Sequence, residues 1–264
     1  MNEAGHQNLL ERDVVRSRLE DGALPDWAAE QYGTFRESMF GERNDTEFPC
    51  YFGVQSEANG DALYTFVDST TGKDALFALR DTLLEYLDVY ADYSERCSLV
   101  TFFAPDPDAT TEADYHERLW HVLQFLHIYD PEPWPADIPT DPDDEYFEWS
   151  FGGEPFFPTC RAPFHEKRPS RRNPVGMEIT FQPRAVFDGV TADTAAGQAA
   201  RDVIQGRLED YDGACPHAAI GDWGVAGDRE WPQYLLWEDE SQAPDECPLH
   251  VDPEPFRASP PAAD

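Results

Sequence analysis

At 264 residues, 41% of them hydrophobic and 13% aromatic, the chain is long enough to bury one sizeable core and too short to require two. Against 53 acidic residues stand 19 lysines and arginines, a formal charge of -34. That excess excludes nucleic acid and anionic membranes as general partners, because both are polyanions held through Lys and Arg. The 17 Phe, 11 Tyr and 7 Trp, spread along the chain, exclude an acidic disordered polymer.

The charge itself reads as adaptation to brine. Self-repulsion destabilises a compact state in dilute buffer, but at about 1 M salt the screening length falls to roughly 3 Å. Only Lys73 and Lys167 are lysines, so the expected host is an extreme halophile with a salt-filled cytoplasm. The opening MNEAGHQNLLERDVV has no signal-peptide pattern and no run approaches membrane-spanning length, so the expected location is cytoplasmic. Five widely spaced cysteines without a C-x-x-C pair argue against a disulfide framework or a structural zinc site.

In chain order, an amphipathic helix is expected over about residues 6–20, and a second from Pro25 to Gly41. FPCYFGVQ reads as extended. With turn chemistry at Asn59 and Gly60 and the alternating ALYTFVD, it predicts a β-hairpin. Leucines at helical spacing predict a helix from Asp74 to Tyr93, followed by the strand SLVTFFA. A Thr-capped helix is expected over 111–129, then a Pro- and Asp-rich loop, then strands YFEWSF and PFFPTC joined through Gly152, Gly153 and Glu154. MEITFQP predicts a strand, ADTAAGQAARDVIQGRLEDY a helix and QYLLWED a last strand. The sum is a single α+β domain over 1–240, with a mixed or antiparallel sheet and covering helices, and a loosely ordered acidic, Pro-rich tail over 241–264.

Six of the 19 basic residues fall between Arg161 and Arg184: Arg161, Lys167, Arg168, Arg171, Arg172 and Arg184. Arginine forks in a partly dry site bind carboxylates and phosphates bidentately, so one reading is an anionic ligand; the other is internal pairing with the protein's own carboxylates. Cys50, between Pro49 and aromatics, is either a small core hydrophobe or a reactive thiol or ligand. His116, His121 and His127 share one helix, but their spacing points them apart and they cannot chelate one ion together. Glu154 reads either as solvated or as a carboxylate facing a cationic substrate.

Taken in order, ESMFG, FPCYFG, WPADIP, WSFGGEPFF, HEKRPSRR, TFQPR and EWPQYLL resemble the YqcI/YcgG family. The resemblance implies a protein that binds heme b and hydroxylates a guanidine or amine nitrogen of a small cationic amino-acid-like substrate. It implies Cys50 as the axial iron ligand, with Phe52 beside it. Arg168, Arg171 and Arg184 are implied for the heme propionates, and His165 at a propionate or on the oxygen side. Glu154 is the implied substrate carboxylate. A heme-binding sensor or carrier without turnover, and a cofactor-free interaction protein, are the competing readings.

Overall fold

The computed structural model describes residues 8–191 and 193–253. Its centre is a six-stranded mixed sheet, ordered β1 (Leu10–Glu11), β4 (Leu63–Val67), β5 (Leu99–Phe103), β8 (Glu178–Pro183), β7 (Glu154–Arg161) and β6 (Trp149–Phe151). Only β4 and β5 run parallel, because α4 (Lys73–Tyr93) returns the chain between them; the other neighbours are antiparallel. The remaining helices are α1 (Arg12–Glu20), α2 (Asp26–Phe40), α3 (Tyr51–Asn59), α5 (Glu112–Ile128) and α6 (Ala195–Asp212). A two-residue ladder, β2 (Glu42–Arg43) with β3 (Thr46–Glu47), closes the α2–α3 connection. The architecture is α+β with a helix-covered mixed sheet, as the residue patterns predict.

Strand alternation divides the core in two. Leu63, Val67, Leu99, Phe103, Ile179, Phe181, Phe156 and Cys160 face one side, where Leu76, Leu79 and Leu83 of α4 and Leu119, Val122 and Leu123 of α5 cover them. Tyr64, Val100 and Phe102 face the other, against Tyr32, Phe35 and Met39 of α2. Helix α5 begins in a capping box: Asp114 N–H donates to the Thr111 hydroxyl at 3.3 Å and Thr111 N–H donates to Asp114 at 2.7 Å.

Three expectations change. The predicted hairpin is not formed, because Tyr51–Asn59 is helix and Gly60, at φ 82°, terminates it by donating to Ser56 O at 3.0 Å. The Asn-Gly pair supplies a left-handed residue, which a helix end needs as much as a type I′ turn does. Strand β4 instead pairs with β1 and β5. The residues read as the strand QYLLWED begin inside a 3-10 turn at Trp231–Gln233, and Tyr234 makes a backbone bond to β7, accepting from Cys160 N–H at 2.6 Å. The expected first helix starts later: Leu10–Glu11 is a strand and helix begins at Arg12, while residues 6 and 7 lie outside the described residues.

Part of the expected tail is packed. Leu249 is buried in the larger core, Asp252 N–H donates to His127 Nε2 at 2.9 Å, and Trp134 N–H donates to Pro253 O at 3.3 Å. Residues 254–264 lie outside the described residues. No helix among the described residues is long and apolar enough to cross a membrane.

Candidate active site

Alternation along β7 and β8 puts Phe157, Thr159 and Arg161 beside Gln182, Thr180 and Glu178, on the side of the sheet that faces α2. Such a polar row would ordinarily meet water. Here α3 and α6 roof it and enclose a cavity of about 360 Å³. Helix α6 is set in place by its ends. The Thr194 hydroxyl caps it by accepting from Gly197 N–H at 3.0 Å, and Asp212 near its C-terminus accepts the N–H and hydroxyl of Ser170, each at 2.8 Å. A Cβ on Gly197 would overlap the carbonyls of Val190 and Thr191, so the close approach of α6 to that loop requires glycine.

Cys50 occupies the N-cap of α3 and lines the cavity. Gly53 sits so close that a Cβ there would lie 3.7 Å from the Cys50 sulfur and 3.9 Å from Met39 Sδ. Burial pushes the thiol pKa up, while Gly53 N–H, the Arg171 charge and Phe52 N–H act against it. Neither N–H reaches the sulfur in regular capping geometry, so their influence is electrostatic rather than a formed cap bond. Phe35, Met39, Phe48, Phe52 and Val100 supply apolar wall.

The cavity is also rich in cations. Arg96, Arg161, Arg171 and Arg201 line it. Arg96 donates to Val186 O at 2.7 Å and lies 4.8 Å over the Phe52 ring, and Arg201 pairs with Asp222 but leaves Nη1 buried without a partner. Arg161 donates to Arg172 O at 2.8 Å and to Glu178 at 3.4 Å, with Nε unpartnered. Arg171 stands apart: among the described residues its guanidinium makes no hydrogen bond or ion pair, and Nη1 is buried. Burial pushes its pKa down. An unpaired buried charge is costly, and the charge of Asp212, which makes no direct bond to it, offsets only part of that cost.

A family model for the YqcI/YcgG family matches residues 35–250, which include every residue lining the cavity. The chain belongs to the YqcI/YcgG family. Relatives include two Bacillus subtilis proteins, YqcI, 34% identical over 229 residues, and YcgG, 36% identical over 229 residues; each alignment covers 86% of this chain and 89% of the relative. A Streptomyces lavendulae protein that carries the provisional name N(omega)-hydroxy-L-arginine synthase DcsA is 33% identical over 255 residues, 94% of this chain and 92% of that one. No solved structure matches the chain.

Of the residues singled out in the sequence of this YqcI/YcgG-family chain, the fold gathers Cys50, Phe52, Arg161 and Arg171 at the cavity. The others are held elsewhere. His165 is fully buried with Nδ1 3.1 Å from Glu238, and Arg168 donates to Cys215 O at 3.1 Å and lies 3.9 Å from Glu240. Glu154 opens β7 beyond the tight turn at Gly152 and Gly153, whose φ angles are 63° and 79°. Arg184 is enclosed between Glu148 and Glu230, with its guanidinium 4.8 Å over Trp223. Residue-type reasoning did not reach Arg96, Arg201, Glu57 or Glu178. For Glu178 a signal existed, since Glu178, Thr180 and Gln182 make a polar face on a strand central to the sheet.

The Arg184 cluster has its own consequence. Burial pushes the Glu230 pKa well up, the Glu148 charge pushes it further, and Arg184 opposes both. An Arg184→Met variant leaves two buried carboxylates facing each other and is expected to lose about 3–5 kcal/mol of stability near neutral pH. The loss should be smaller at pH about 5 than at pH about 8. A carboxyl whose folded-state pKa is raised loses stability as pH climbs from its unfolded value toward the folded one. Urea titrations at the two pH values check both magnitude and sign.

Proposed function

We propose that this protein is a heme-thiolate enzyme that hydroxylates a guanidine or amine nitrogen of an amino-acid-like substrate. One observation carries the reading: a thiol at the N-cap position of α3, Cys50, and a guanidinium without a hydrogen bond or ion pair among the described residues, Arg171, line the same largely apolar cavity. The residues present fit a heme b. Cys50 would hold the iron. Arg171, with the free N–H groups of Arg161 and Arg201, would neutralise the two propionates. The name of the S. lavendulae relative, an arginine N-hydroxylating enzyme, supports the same reaction class.

A thiolate-ligated heme supplies oxygen activation, because the thiolate donates electron density that favours O–O cleavage. The chain's own residues supply the setting. Burial disfavours the ionised form of the Cys50 sulfur, and the first N–H groups of α3 with the Arg171 charge offset part of that penalty. Phe35, Met39, Phe48 and Val100 exclude water, and Gly53 leaves room beside the sulfur.

Purification in about 2 M KCl, where the screening length is a few ångströms, followed by a reduced, CO-treated absorption spectrum tests the cofactor. A thiolate-type band is expected; a histidine-type band, or none, overturns the proposal. Incubation with L-arginine, oxygen and reductant should then yield an N-hydroxylated product. A thiolate-type band with no product from guanidines or amines would leave a heme carrier or sensor instead.

A further inference from the structure

The cavity holds two buried carboxylates, and they differ in what remains free. Glu57, 1% exposed, is engaged through both oxygens. Tyr64 donates to one, while Tyr32 donates to the other at 3.2 Å, with Arg36 at 2.9 Å and Arg16 at 3.5 Å from it. Glu178 is also 1% exposed, but both of its internal partners meet the same oxygen: Arg161 donates to Oε2 at 3.4 Å and Asn173 donates to it at 3.1 Å. Among the described residues Oε1 has no hydrogen bond or ion pair. A carboxylate has about four lone-pair sites, so Oε1, on a residue that lines the cavity, keeps its acceptor capacity for a ligand.

The strand around Glu178 extends the pattern. Residues 178, 180 and 182 share a face, roughly 7 Å apart at successive steps. The Thr180 hydroxyl has no partner among the described residues. Gln182 uses its amide N–H₂ on Phe157 O at 3.3 Å and Thr159 Oγ1 at 3.1 Å, which leaves its carbonyl as an acceptor. This wall therefore offers acceptors, one of them a carboxylate, while Arg171 and Arg201 offer donors. A ligand complementary to the acceptor wall is cationic and rich in N–H groups, and a guanidinium, with five donors in a rigid plane, is the side-chain chemistry that matches it best.

We infer that Glu178 is the specificity-determining residue of the cavity, receiving the cationic nitrogen group of the substrate on Oε1. The inference rests on the cavity being the N-hydroxylation site. Arg161 does not compete for this role, since it meets Oε2 and is itself fixed to the Arg172 carbonyl. Positioned there, Glu178 distinguishes a substrate by charge at the nitrogen end, independently of how the rest of the molecule is bound.

The test compares binding of L-arginine with that of L-citrulline, its neutral isostere, by calorimetry on the protein as purified in about 2 M KCl. The wild-type protein is expected to prefer arginine by about 10- to 100-fold, the range for a hydrogen bond to a charged group. In Glu178→Gln the preference should collapse to within about threefold while citrulline affinity is kept. Glu57→Gln, with near-UV circular dichroism confirming its fold, should retain the preference. Should Glu178→Gln fail to fold, Glu178→Asp carries the test, with arginine weakened about fivefold or more and citrulline unchanged. No preference in the wild-type protein, a preference surviving in folded Glu178→Gln, an undiminished preference in Glu178→Asp, or a preference lost with Glu57 instead, overturns the inference. Absorption spectra recorded on the same samples separate the two ideas: selectivity that depends on Glu178 in a protein without a thiolate-type band would sink the cofactor reading and leave this one standing.

Discussion

Replacing Cys50 by serine is expected to abolish the thiolate-type band of the reduced, CO-treated protein while leaving the fold intact. The two outcomes separate because of where the residue sits. As the N-cap of α3, position 50 tolerates serine, whose hydroxyl is a preferred capping acceptor, so the helix and the cavity wall keep their support. As an iron ligand, a hydroxyl does not replace a thiolate, which is the soft donor that sets the electronics of the iron. The expected result is loss of the band together with loss of most of the bound heme, at unchanged far-UV circular dichroism and, comparing apoproteins, a urea midpoint equal to or above that of the wild type. A Cys50→Ser protein that kept an unchanged thiolate-type band would remove Cys50 from the iron. Cys160, buried on the opposite face of the sheet with its pKa pushed up by burial, would not be the replacement.

Arg171→Met is expected to trade cofactor for stability. The guanidinium is desolvated and unpartnered, so in the protein without an anionic ligand it costs more than an apolar side chain of similar length. Methionine should raise the unfolding free energy by about 1–3 kcal/mol in urea titrations of the apoprotein. It should at the same time weaken heme retention by about tenfold or more, because a charge-assisted pairing with a propionate is lost in a partly dry site. Asp212 keeps both of its bonds to Ser170 in the variant but loses the favourable charge of Arg171, which sets the gain at the lower end of that range. A variant that is both less stable and equally well loaded would show that Arg171 serves the fold rather than an anion. Gains in stability at functional positions are expected wherever a site holds a charge ready for its ligand.

The helices and central strands are written in local patterns. Leucine spacing specifies α4, Pro25 and Gly41 bracket α2, Thr111 and Asp114 start α5, and alternation marks β5 and β8. The errors fall where one local signal serves two structures. Asn59 and Gly60 provide a left-handed residue that ends α3 as readily as it would turn a hairpin, and an aromatic run such as FPCYFG is compatible with either. Residues 233–239 look like a strand, but they begin inside the short turn containing Pro232 and meet β7 through one backbone bond, at Tyr234, beyond the part that β6 covers.

For the site, the sequence by itself determined that a few basic residues persist in a chain of charge -34 and that Cys50 sits in an aromatic setting. Which of those arginines is free for a ligand was decided by tertiary structure. Arg171 and Arg184 are indistinguishable by residue type, yet Arg184 is enclosed by Glu148 and Glu230, 36 and 46 residues away, while Arg171, pinned through Ser170 to α6, meets no carboxylate within pairing distance. The same holds for the carboxylates, since Glu57 and Glu178 differ only in how many partners the fold brings to their second oxygen. Pairing depends on distances of a few ångströms between residues far apart in the chain, and local patterns of hydrophobicity and turn chemistry do not encode such distances.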